Sequence, residues 1–220
     1  MSLILTDDQL KQLAPHCPAA KRQAMVPIVN STMQRFNLDT YLRASAWLAT
    51  LLVESGEFRY NEELDSGAAY EGRKDLGNTQ PGDGRKFKGH GRIQITGRDA
   101  HQKCGDYFGV DLIANPLLLT EEPLATDSAG WFWCEYKSGM NDLADSRKFL
   151  ATQIKVNGRN KKTGLPNGWE ERKAYYERAL RLLPEDDAAP QSDTDHGDIA
   201  ATVTAGAEGV AETSETPGTP

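Results

Sequence analysis

The sequence predicts a mainly helical (α+β) domain with a small β-loop lobe, and an unstructured acidic tail after it. Three observations carry this. Apolar residues recur at helical spacing through most of the first 183 residues, as in Leu48, Leu51 and Leu52. Between residues 71 and 91 that spacing gives way to Gly72, Gly77, Gly82, Gly84, Gly89 and Gly91 with Pro81, which reads as a long loop. One alternating run follows, Ile93-Gln94-Ile95-Thr96, with the period-two mark of a short strand.

Taken in order, Thr6-Asp7-Asp8-Gln9 has the form of a capping box and opens a short helix carrying Leu10 and Leu13, stopped by Pro15. Residues 19–36 read as a second helix with Met25, Ile28, Val29, Met33 and Phe36 inward; Pro27 kinks it or marks its start. Asp39 or Thr40 caps a third helix that runs to Glu54. The 71–91 loop is long enough that a functional role is the expectation. In the strand after it, Gln94 and Thr96 share the polar face. Residues 125–140 are expected to form a helix rich in aromatics (Trp131, Phe132, Trp133, Tyr136), read chiefly as core. Residues 145–156 form another, ended at Asn157-Gly158. Residues 169–183 form the last, with Ala174, Tyr175, Ala179 and Leu183 inward.

The net charge of −7 is unevenly distributed. Residues 184–220 hold nine acidic and no Lys or Arg residues, leaving 25 basic and 23 acidic residues in 1–183. The tail is poor in large apolar residues and cannot bury enough surface to fold. The domain is therefore residues 1–183, the tail 184–220. With no basic stripe, nucleic acid is not an expected partner. No run of 18 apolar residues is present, so no membrane insertion is expected. The first eight residues have no basic segment and read as no secretory signal. Cys17, Cys104 and Cys134 are odd in number and form no CxxC pair, which points to a reducing compartment. His16, His90, His101 and His196 show no metal-ligand spacing, so neither metal nor cofactor is expected.

Catalytic chemistry is sought first at Glu54, where an apolar helix meets Gly56 and a knot of carboxylates. A carboxyl there is half shielded by the apolar turn beneath it, which favours its protonated form. Two carboxylates flanking a glycosidic bond stand about 5 to 9.5 Å apart. Along an unbroken helix, Glu54 and Glu63 would rise about 13.5 Å and face apart. A left-handed Gly56 removes that difficulty by letting the chain double back. Solvated charges at a frayed helix end would give the same spacing, so the residues alone leave both readings open.

Six blocks in order then carry a resemblance: Glu54-Ser55-Gly56-Glu57-Phe58, Glu62-Glu63-Leu64, Gly89-His90-Gly91-Arg92-Ile93-Gln94-Ile95-Thr96-Gly97-Arg98, Ala129-Gly130-Trp131-Phe132-Trp133, Val156-Asn157-Gly158 and Arg172-Lys173-Ala174-Tyr175-Tyr176. Residues 44–183 resemble glycoside hydrolase family 19, the chitinase-like domain in its phage endolysin form. The resemblance implies a lysozyme-like helical domain with a small β-hairpin lobe. It also implies hydrolysis of β-1,4 bonds between N-acetylated sugars, with inversion. By the family pattern Glu54 is the general acid, Glu63 the general base, and Thr96 supplies the hydroxyl that holds the water. Gln94, Asn157 and Arg172 match substrate-binding positions of the cleft. Three departures fall on subsite detail: Val53 stands where many members have His, Ala100 where many have Asn, and Gly158-Arg159 where a glycine pair is frequent.

The expected substrate is the glycan strand of bacterial peptidoglycan, with chitin the alternative. An endolysin reading places a monomer in the host cytoplasm until a holin or other export partner releases it to the wall in the periplasm. Two other classes fit less of the sequence. A wall-cutting cysteine peptidase would pair Cys17, Cys104 or Cys134 with His90 or His101. A non-catalytic sugar binder would stack sugars on Trp131, Trp133 or Trp169.

Overall fold

The computed structural model describes residues 2–185, so the expected acidic tail, apart from Pro184 and Glu185, lies outside the described residues. Helix α1 (Asp7–Leu13) opens with the expected capping box: Gln9 N donates to Thr6 Oγ1 (3.2 Å) and Thr6 N to Gln9 Oε1 (2.9 Å). Helix α2 (Ala19–Arg35) continues through Pro27, so the proline does not mark its start. Of its expected inward face, Met25, Val29, Met33 and the following Phe36 are buried and Ile28 only partly so. Helix α3 (Tyr41–Glu54) is buried along most of its length, with Trp47, Leu48, Leu51 and Leu52 inaccessible or nearly so. Thr40 is its N-cap by backbone geometry, although its hydroxyl makes no capping bond. The rest of the helical frame is α5 (Arg98–Phe108), α6 (Leu124–Trp131), α7 (Met140–Asp145), α8 (Phe149–Asn157) and α9 (Trp169–Leu182), with a short α4 (Asp83–Lys86) before them. Helix α9 lies along α3, and that packing dominates the core. No helix among the described residues is long and apolar enough to cross a membrane.

Several elements differ from expectation, each for a local reason. The 71–91 stretch is not structureless: it holds a 3-10 turn, Lys74–Leu76, and α4. Gly84 sits inside α4 because a Cβ there would meet Glu71 N at 2.5 Å and Gly67 O at 2.8 Å. Both are backbone atoms and cannot rotate away. Gly84→Ala is therefore expected to cost about 1–3 kcal/mol by overpacking, read as a fall of several degrees in thermal denaturation.

The helix expected over 125–140 is α6 followed by a π-helical turn, Phe132–Tyr136, and stops before Gly139 at φ +79°. The helix expected over 145–156 begins only at Phe149, as α8; Asp145 instead ends α7, and Arg147 at φ +54° lies between the two. On α9 the buried face is Trp169, Arg172, Tyr176, Ala179 and then Leu183, while Ala174 is exposed. A buried arginine on that face hid its register from a hydrophobic reading.

The expected strand is likewise reduced. Gly91 (φ +80°) and Gln94 (φ +58°) fold residues 91–94 into a tight turn, closed by Gln94 N donating to Gly91 O (3.2 Å). His90 and Ile95 then pair in both directions, at 3.0 and 2.7 Å. On its other side His90 faces Glu62, through Glu63 N to Gly89 O and Gly91 N to Asn61 O, each 2.8 Å. The β lobe is a miniature antiparallel ladder of isolated bridges, one rung on each side of His90. Ile93 and Ile95 are buried as the alternation implied, but Gln94 is a left-handed turn residue, not a strand residue.

Candidate active site

Helix α3 ends at Glu54 in a Schellman motif. Glu57 N donates to Leu52 O (2.8 Å), Gly56 N to Val53 O (3.2 Å), and Gly56 takes φ +55°. The glycine-broken helix end thus forms as the sequence implied. Glu57 (φ +56°) and Phe58 (φ +65°) continue the left-handed path, so three successive residues turn the chain back. Side chains with a Cβ occupy that region at a cost. Two anchors hold them in it. Phe58 is fully buried, and the buried Arg92 guanidinium donates to Phe58 O (2.9 Å) and Tyr60 O (3.1 Å) while pairing with Glu122 (2.8 Å).

Glu54 is half-buried, and Arg172 Nη2 lies 2.6 Å from its Oε1 as a close ion pair without hydrogen-bond alignment. Arg172 is itself buried. It donates to Gln153 Oε1 (3.0 Å) and Asn167 O (2.9 Å), and Gln153 is held by Thr50 Oγ1 (2.8 Å) on α3. The apolar shielding expected around Glu54 is therefore only half of its environment; a fixed cation supplies the rest.

Glu63 is mounted on the ladder. Tyr70 Oη donates to its Oε1 and the Gly89 amide to its Oε2, both at 2.8 Å. Burial, and then the bond to Glu63, push the Tyr70 phenol up to about 12, so it stays a donor across the working range. Lys88 clamps the same segment, pairing with Glu62 Oε1 (2.8 Å) and donating to Glu63 O (2.9 Å). The Lys88 hydrogen bond lowers the Glu62 carboxyl, which leaves Glu62 a committed ion-pair partner.

Of the remaining expected residues, Thr96 and Gln94 lie together: Thr96 Oγ1 donates to Gln94 O (2.9 Å), and Gln94 Nε2 donates to Gly91 O (3.0 Å). The Gln94 side chain packs on Gly89, where a Cβ would come within 2.6 Å of its Oε1. Gln94 and Glu63 thus share Gly89 as common support. Asn157 is exposed and is not brought to this cluster; its Oδ1 accepts from Asn167 N (2.9 Å) and ties the 158–168 loop. Arg172 is brought to Glu54 itself.

Arg92 stood in the sequence only as part of the Gly89–Arg98 block, with no role of its own, and Tyr70, Lys88 and Gln153 were not singled out. Of these three only Gln153, a lone amide among Phe149, Leu150 and Thr152, carried a signal: a polar side chain on a face that must be buried.

The two other classes lose their footing here. His90 Nδ1 and His101 Nε2 are 2.9 Å apart, and His101 Nδ1 donates to Gly97 O (2.8 Å), so the imidazoles serve each other and not a thiol. Burial pushes Cys104 up to about 12 and Cys134 to about 11, which keeps both protonated and unreactive. Trp131, Trp133 and Trp169 are all buried and offer no stacking surface. Among the described residues no group of three or more potential ligands could hold a metal ion.

Fold and site together give a mainly helical domain that presents two separately braced carboxylates. Residues 47–146 match the family model described as chitinase class I. The chain is 28% identical over 171 residues to an endochitinase of Arabidopsis thaliana, covering 76% of this chain and 58% of that protein. It is 30% identical over 130 residues to a glycosyl hydrolase family 19 domain-containing protein of Haemophilus influenzae, covering 59% of this chain and 58% of the other. The chain thus spans less than two thirds of the length of these curated relatives. Chitinase C from Streptomyces griseus HUT6037 shares the fold, with a TM-score of 0.66 at 21% identity over 86% of this chain and 79% of that one.

Proposed function

We propose that this domain hydrolyses β-1,4 bonds between N-acetylated sugars, with bacterial peptidoglycan strands as substrate. The observation that carries the reading is the pair Glu54 and Glu63 at the two ends of a left-handed return, the first ion-paired with Arg172 and the second hydrogen-bonded by Tyr70 and the Gly89 amide. In this reading Glu54 protonates the leaving oxygen and Glu63 activates a water for inverting attack. Thr96 orients that water, and Gln94 binds sugar. Arg172 acts on Glu54, and Asn157 lines the cleft only through the 158–168 loop.

Peptidoglycan is favoured by a cavity of about 400 Å³ beside Glu63, lined by Arg59, Tyr60, Leu64 and Lys88 among others. Arg59 is exposed and makes no ion pair among the described residues. A cation beside the base suits a glycan whose alternate sugars carry peptide stems with free carboxylates. Chitin is the second reading, favoured by the endochitinase relative. On the first reading the protein is an endolysin-type monomer, held in the host cytoplasm and released by a holin or similar partner to act on the wall from the periplasm.

Purified sacculi and N-acetylglucosamine oligomers, each incubated with the protein and analysed by mass spectrometry, separate the readings. New reducing ends on sacculus strands, with peptides intact, support the first. Cleavage of the oligomers alone supports chitin. Glu63→Gln is expected to lower either rate by about 10²-fold or more. Retention of the rate would remove Glu63 as base.

A further inference from the structure

Glu57 is a buried carboxylate next to the site that the reaction does not use. It sits in a left-handed conformation, 5% exposed, and receives three donors from two other parts of the chain. His16 N reaches Oε2 at 2.6 Å, His16 Nδ1 lies 3.0 Å from Oε1, and Tyr175 Oη reaches Oε1 at 2.6 Å. Burial pushes its carboxyl up; the Tyr175 and His16 hydrogen bonds reverse that and hold it below the ordinary range.

The spacing is informative. Glu54 meets Arg172, and three residues on Glu57 meets Tyr175, three residues further along α9. Residues three apart on a helix lie on one face, one turn on. The two contacts therefore fix both the rotation and the height of α9 against the end of α3. Arg178, three residues beyond Tyr175, extends the row by donating to Leu13 O (3.2 Å) at the end of α1.

We infer that Glu57 is a positioning residue: through Tyr175 it sets the register of α9 so that Arg172 meets Glu54. The inference rests on Glu54 being the reacting carboxyl. It accounts for a strained glutamate at a place where glycine would adopt the same backbone freely. Strain of this kind persists where surrounding contacts over-determine it.

The substitution Glu57→Gly separates the two accounts, because it relieves the backbone and deletes the contacts. If the side chain were only a stability feature, Glu57→Gly would leave turnover unchanged. The positioning role predicts kcat down about 10- to 100-fold, as for a small misplacement of a catalytic group, with KM within twofold and an unchanged circular dichroism spectrum. Tyr175→Phe is expected to give the same loss, and the double variant to be no worse than either single one. Multiplying losses, or a change in KM alone, would overturn the inference.

A readout independent of turnover is the crystal structure of Glu57→Gly, or of Tyr175→Phe if the first does not fold. The Arg172–Glu54 pair is expected to open beyond 4 Å. A pair that stays closed overturns the inference even if the wild-type chain hydrolyses neither glycan. Full activity in Glu54→Gln, with the pair opened in Glu57→Gly, would instead overturn the assignment of Glu54 and leave the positioning geometry standing.

Discussion

Replacing Glu54 with Gln is expected to lower glycan hydrolysis by about 10²- to 10⁴-fold, the contribution of a placed general acid, while the domain stays folded. The amide has the shape of the carboxyl but no proton to give the leaving oxygen. Its effect on stability should be small, for a reason visible in the ion pair. Stranding a buried charge costs about 3–5 kcal/mol, but Arg172 keeps Gln153 Oε1 and Asn167 O and gains an amide oxygen in place of Glu54. Glu54→Ala offers Arg172 nothing and should lower the melting temperature as well as the rate. Initial rates of reducing-end release, measured beside thermal denaturation for both variants, separate chemistry from folding. A rate above about a tenth of wild type in Glu54→Gln is too high for a general acid and would move that role elsewhere.

The second large effect is on stability at mildly acid pH. His90 and His101 are both fully buried, and desolvation lowers each to about 4. Their hydrogen bonds fix neutral tautomers, since His101 Nδ1 gives its proton to Gly97 O and His90 Nδ1 gives its own to His101 Nε2. The unfolded chain binds protons at these imidazoles from about pH 6.5 downward, and the folded chain refuses them until about pH 4. Stability from the pair is therefore complete above about 6.5 and is lost as pH falls toward 4. Two shifts of this size amount to a few kcal/mol in total, on the order of half the stability of a typical domain.

The hydrogen-bonded carboxylates that are lowered in the fold, Glu57 and Asp83 among them, lose their contribution only below their unfolded values of 4.5 and 3.8. The histidine window lies above theirs. Urea midpoints should accordingly be level above pH 7 and fall steeply between 6 and 5. A level profile through that interval would mean that the pair is not held neutral. Because His90 carries both rungs of the ladder, loss of the pair should take the Glu63 support with it.

Much of the candidate site was legible in the sequence, since its acids sit on features that local rules describe. Gly56 announces the end of α3, and the apolar spacing before it announces which face is buried. What was not legible depends on residues far apart in the chain. Arg172 was named only through the family resemblance, as a substrate-binding position, because nothing local shows that Glu54 waits for it. Lys88 lies in the 71–91 loop, for which a functional role was expected but no residue named, and Tyr70 just before it; both act by reaching back to Glu62 and Glu63. The alternation at 93–96 was correct as a burial pattern and wrong as a strand. Period two cannot distinguish a strand from a turn whose two isoleucines happen to point inward. Helix α5 was missed because Asp99, Gln102, Lys103 and Asp106 dilute its apolar positions, so that only Ala100, His101, Cys104 and Gly105 are buried.

The left-handed return between the two acids also behaves as a spacer of fixed length. One end is set by the Schellman bonds and the other by Arg92 and the first rung, with no slack between them. A single inserted or deleted residue there would keep every acid, amide and cation in the chain and is still expected to abolish the proposed hydrolysis. Variation in length should instead collect in the 158–168 loop, which is largely exposed. Among related chains, inactivity can then arise from a gap of one residue that no inventory of catalytic side chains would reveal.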